Sequence, residues 1–201
     1  MYCGRPPVVL VLFVPRFCSS SGRFFTSRVA ADGLVDPLTV QAEQQIPPTD
    51  RQMDYALELE AMIPDGVCKD DVSAIISRIA DKDEEAPDPG LSRYAHACGV
   101  KFSRFVGAKA LLGYMVGQLQ GAARAELYAY AVCRQEKGGS FSDPRRLPVY
   151  DALRACGVAV AEDPALMKSL EDRDVYDFAG PNRGTKIYKA VAADLKQRGA
   201  L

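Results

Sequence analysis

Val72, Ile75, Ile76 and Ile79 fall at i, i+3, i+4 and i+7, the spacing that lines one face of an α-helix. About forty residues later the same spacing returns at Leu112, Met115, Val116 and Leu119. Strand side chains alternate every second residue, so a strand would send this set to both faces of a sheet. The preceding stretches correspond too. Tyr55-Ala56 recurs as Tyr94-Ala95, and Lys69 as Lys109. The pattern predicts two helix–turn–helix units, residues 51–80 and 91–120, related by a period of about 40.

The rest of the chain continues in the helical period. Asp50 is placed as a cap before a helix with Met53, Leu57 and Ala61 on one face, and Asp70 and Asp71 suit the positive end of the next helix. "DKDEEAPDPG" has the composition of a solvated acidic loop. Residues 122–136 are rich in Ala and Leu, and "VYDALRACG" predicts a short helix closed by Gly157. Asp163 caps a further helix with Pro164 at its first position, and Thr185 caps a last one. "GVAVA" at 157–161 is too short to count as a strand. The expected fold is all-α, a helical bundle of six to eight helices in a domain spanning 51–201. Residues 31–50, polar and holding three prolines, are expected to be a linker.

Gly113, Gly117 and Gly121 stand at i, i+4 and i+8, and Ala125 and Ala129 continue the row. Each glycine in a helix interior costs ~0.8–1 kcal/mol relative to alanine. A compensating contact is therefore expected: a second helix approaching closely along Gly113, Gly117, Gly121 and Ala125, from this chain or a partner.

The first thirty residues differ in kind. They carry Arg5, Arg16, Arg23 and Arg28 with no acid before Asp32, and they mix serine, phenylalanine and arginine. That is the composition of a mitochondrial transit peptide, drawn inward by the membrane potential, with cleavage expected between about residues 25 and 35. The apolar run Val8–Val14 is far shorter than the ~20 residues of a membrane span. From residue 30 on there are 21 bases and 26 acids, a balance that excludes a chain coated for phosphate binding. The charge is segregated. Residues 41–99 carry 5 bases and 13 acids, and residues 100–146 carry 8 bases and 3 acids. Cys68, Cys98, Cys133 and Cys156 have no CxxC spacing, so they read as free thiols rather than a zinc site or a disulfide framework.

Residues suited to catalysis do not converge in the pattern. His96 is the only histidine, and Cys98 lies two positions on, where helical side chains do not face each other. No His-based metal cluster can form, and no cofactor motif is present. "GPNRGTK" leads into a helix N-terminus and could cradle an anion with Arg183, Thr185 and Lys186.

Residues 91–119 carry a further pattern: Leu91, Gly99-Val100, Gly107-Ala108-Lys109, Leu111-Leu112 and Leu119. This stretch resembles the helix–extension–helix modules of the SAP kind, with Gln118 where that family has an arginine. "PTDRQMDYALELEAM" is similar to a small helical segment on some DNA-processing proteins. The resemblance implies binding of DNA or RNA, with Lys101, Arg104 and Lys109 on phosphates and Phe102 or Phe105 stacking on bases. Two functions are thus expected from the sequence. The first is a non-catalytic subunit or adaptor of an assembly in the mitochondrial matrix, ribonucleoprotein or respiratory in type, bound to other protein subunits. The alternative is a mitochondrial nucleic-acid-binding protein.

Overall fold

Thr49, Asp88, Asp163, Asp174 and Thr185 each begin a helix by accepting from an orphan backbone N–H. Thr49 rather than Asp50 begins the first: its Oγ1 accepts from the Gln52 amide at 3.3 Å while Gln52 Oε1 accepts from the Thr49 amide at 3.1 Å. This reciprocal pair satisfies two N–H groups at once. The computed structural model describes residues 46–201. The expectations for residues 1–30, and for the linker up to residue 45, lie outside them.

Among the described residues there are nine α-helices, one 3-10 turn and no strand, so the fold is all-α. They are α1 (Asp50–Glu58), α2 (Lys69–Ala80), α3 (Pro89–Ala97), α4 (Ala108–Gln118), α5 (Gly121–Lys137), the 3-10 turn Pro144–Arg146, α6 (Tyr150–Ala161), α7 (Pro164–Glu171), α8 (Val175–Ala179) and α9 (Lys186–Gln197). This is the helical bundle expected, with "DPALMKSLEDRDVYDFA" divided into two helices rather than running as one. Asp174 accepts from the amides of Tyr176 and Asp177 and starts α8 afresh. Asp163 and Thr185 cap α7 and α9 as their positions predict.

The core forms around α5. Seven consecutive residues, Leu127 to Cys133, are buried, so this helix is enclosed on every side. Its alanines, Ala125, Ala129 and Ala131, leave neighbouring backbones room to come near. The nearest is α6, which is not a short helix closed by Gly157 but runs on to Ala161 and absorbs "GVAVA". Gly157 lies in its middle, and a Cβ there would sit 2.8 Å from the Glu126 amide nitrogen. Leu111, Met115, Ile187, Val191 and Leu195 close the core from α4 and α9.

Arginine and tyrosine tie the helix ends around this core. The Arg124 guanidinium donates to the carbonyls of Val116, Leu170 and Arg173, joining the C-terminal ends of α4 and α7. Those ends carry partial negative charge, which a cation offsets. Tyr94 donates to Glu126 at 2.7 Å, and the buried Asp143 holds Arg145 through two bonds of 2.8 and 2.9 Å.

Candidate docking surface

The two helix–turn–helix units share an element order but not an environment. In the second, Leu112, Met115, Val116 and Leu119 are all buried in the core. In the first, only Val72 of the four matching residues is fully buried; Ile75 and Ile76 are half-buried and Ile79 is 41% exposed. No residue of α1 or α2 belongs to the main core cluster. The pair packs on itself instead. Ala56 is buried against α2, and Gln52 Nε2 donates to Ser73 Oγ at 2.8 Å.

The buried side of α1 is therefore the one through Gln52 and Ala56. Met53 and Leu57, expected inside on their four-residue spacing, turn outward, and Leu57 is 78% exposed. Past the end of α1, Met62 is 91% exposed. Met62, Pro64, Ile75, Ile79 and Phe105 line an open groove of about 410 Å³, with Arg78 and Glu84 as its polar members. Arg78 is already committed, since its guanidinium donates to the carbonyls of Asp83 and Glu84. The lining is thus mainly apolar, with one charged side chain of each sign, Arg78 and Glu84.

What fastens the α1–α2 pair to the rest is the acidic loop. Asp83 is not solvated but almost fully buried, and its carboxylate accepts from the amides of Lys109 and Ala110 at 3.2 and 3.0 Å. It caps α4 from 26 residues upstream. The Ala108 amide donates to the Glu85 carbonyl at 3.0 Å, and Ser103 Oγ donates to Asp71 at 2.7 Å. Gly107 is required by this arrangement, because a Cβ there would lie 2.1 Å from Asp83 Oδ2. No signal in the sequence separates Asp83 from its exposed acidic neighbours.

The glycine row does not form one stripe. α4 stops at Gln118, Leu119 and Gln120 are extended, and Gly121, at φ +53°, opens α5. Gly121 and Ala125 thus belong to a different helix from Gly113 and Gly117, and Ala125 is buried in the core. A Cβ at Gly113, Gly117 or Gly121 would meet nothing within 4 Å, so no helix among the described residues approaches there. The approach expected of these glycines is made at Gly157.

Lys101, Arg104 and Lys109 are exposed and make no ion pair with another described residue. Their setting is not an open cradle. Gln118, at the departure from the SAP pattern, holds the extended turn by a reciprocal pair with the Lys101 backbone, at 2.8 and 2.7 Å. The Lys109 amide is occupied by Asp83. Phe102 stacks on His96 with ring centroids 4.2 Å apart, and Arg104 lies over Phe105 at 4.7 Å.

The anion cradle is likewise filled from within. Arg183 pairs with Glu136 at 3.1 Å, and the Tyr188 hydroxyl donates to the same carboxylate. That bond, with Arg183 beside it, holds the Glu136 carboxyl below the usual range. Thr185 Oγ1 accepts from the Tyr188 amide at 3.3 Å and donates to the Asn182 carbonyl at 2.8 Å. Lys186 is exposed at the start of α9, whose first turn Thr185 already serves.

Among the described residues, no group of His, Cys, Asp or Glu is placed to hold a metal ion, and no helix is long and apolar enough to cross a membrane. Comparison with protein families, with characterised proteins and with solved structures finds no match to this chain.

Proposed function

We propose that this chain is a non-catalytic helical subunit or adaptor of a larger mitochondrial assembly, ribonucleoprotein or respiratory in type. The observation that carries this reading is the α1–α2 pair, fastened outside the core with its apolar face open. Large apolar side chains grouped on a surface commonly mark an interaction site. Here Leu57, Met62 and Ile79 are exposed on two consecutive helices and their connection. The arginine-rich, acid-free first thirty residues support the matrix as the location. Gly113 and Gly117 offer a partner helix a second, flat place of contact on α4.

Sedimentation of an organelle extract containing the tagged protein tests the reading. It should travel with a particle many times its own 21.8 kDa mass. Migration as a free monomer, or a native N-terminus at Met1, would defeat the assembly and the import parts respectively.

Nucleic-acid binding is the second reading, favoured by the exposure of Lys101, Arg104 and Lys109 on one connected stretch. Affinity should then fall steeply with salt, and Lys101→Ala with Lys109→Ala should weaken binding to every base sequence alike. Salt-independent binding would exclude it.

A further inference from the structure

We propose that the α1–α2 pair swings away from the rest of the fold as one unit, with the Asp83 carboxylate as the clasp that holds it closed. The pair carries its own structure. Ala56 and Val72 are fully buried although neither belongs to the main core. Gln52 Nε2 donates to Ser73 Oγ and to the Lys69 carbonyl, which ties α1 to α2. Arg78 donates to the Asp83 and Glu84 carbonyls, so the clasp loop is bound to the end of α2 and moves with it.

The joint to the second unit is mainly polar. Among the described residues, four hydrogen bonds cross it: the Lys109 and Ala110 amides to the Asp83 carboxylate, the Ala108 amide to the Glu85 carbonyl, and the Ser103 hydroxyl to Asp71. Phe105 adds an apolar side chain, which shares an open groove with Ile75 and Ile79. Each polar group of the joint finds water when it opens, so the net loss per bond is small. Parting α5 from α6 would instead expose fully buried side chains such as Leu127, Val132 and Leu153. The joint therefore opens before the core does. Lys82, next to the clasp, sits at φ +50°, a conformation that lysine rarely adopts, and opening releases it. The pivot falls at Ala86 and Pro87, between the Glu85 tie and the Asp88 cap of α3.

Hydrogen exchange of the full chain, read by mass spectrometry on peptides from α2 and α5, tests the inference. Exchange follows the population of the open form. In the parent protein, α2 should exchange at least about tenfold faster than α5. Asp83→Ala should speed α2 by a further factor of about 5 to 150, the equivalent of the cap it removes. Gly107→Ala should act in the same direction from the other side, because its Cβ would lie 2.1 Å from Asp83 Oδ2 and displace the carboxylate. Asp163→Ala is the control. It removes the cap of α7, which the closed and open forms share, so it should speed α5 and leave α2 unchanged.

A common rate for α2 and α5, with Asp163→Ala speeding both alike, would show that the pair opens only when the whole fold does, and overturns the inference. Indifference of α2 to both Asp83→Ala and Gly107→Ala overturns the role of Asp83 as the clasp. The comparison of the parent with Asp163→Ala decides whether the pair opens by itself even if neither clasp variant folds.

Discussion

Replacing Gly157 and Gly117 by alanine, one at a time, should move stability in opposite directions. Both sit inside helices, so each alanine gains about 0.5–1 kcal/mol of helix propensity. At Gly117 nothing lies within 4 Å of the new methyl group, and that gain is the whole effect. At Gly157 the methyl group would lie 2.8 Å from the Glu126 nitrogen and 2.9 Å from its Cα. Those are backbone atoms of the enclosed helix α5, which cannot turn aside as a long side chain can. Relief requires α5 and α6 to separate, at the upper part of the ~1–3 kcal/mol range for overpacking. Subtracting the propensity gain leaves a net loss of about 1–2 kcal/mol. For a chain of this length each kcal/mol moves Tm by about 2–4 °C. Gly157→Ala should therefore melt about 2–8 °C lower than the parent, and Gly117→Ala about 1–4 °C higher. Far-UV circular dichroism during heating reads both. A Gly157→Ala protein as stable as the parent would refute the close approach of α5 and α6.

Asp83→Ala should lower stability by about 1–3 kcal/mol, since the amides of Lys109 and Ala110 lose their acceptor, and denaturant titration would detect it. Arg145 beside Asp143 holds that carboxyl below the usual range. Its contribution is full above the ordinary carboxylate pKa and lost as pH falls through the depressed one, so Asp143→Asn should flatten the acid limb of a stability–pH curve. Burial pushes the Cys156 thiol up to about 12 from an ordinary value of about 9. The folded state then keeps a proton the unfolded state gives up, and stability should fall as pH climbs from 9 toward 12, less so in Cys156→Ala. At neutral pH, Cys133 and Cys156 should react with a thiol reagent only after unfolding.

The all-helical fold was legible because each of its signals is local. The four-residue spacing through Leu112, Met115, Val116 and Leu119 recurs within a few turns, and Asp163 and Thr185 accept from amides two or three residues away. Any question answered by a distant residue was not legible. Ile79 and Leu119 occupy matching places in two similar patterns, yet one is exposed and the other buried, because only the second unit has α5 behind it. Asp83 resembles its solvated neighbours in every respect except lying against Gly107. Gly157 looked like the end of a helix and Gly117 like a contact point, and the packing reversed the two roles. A period of 3.6 determines which side chains share a face. What that face meets depends on segments tens of residues away, and where no segment of the described chain arrives, as beside Met62 and Leu57, the apolar face stays open.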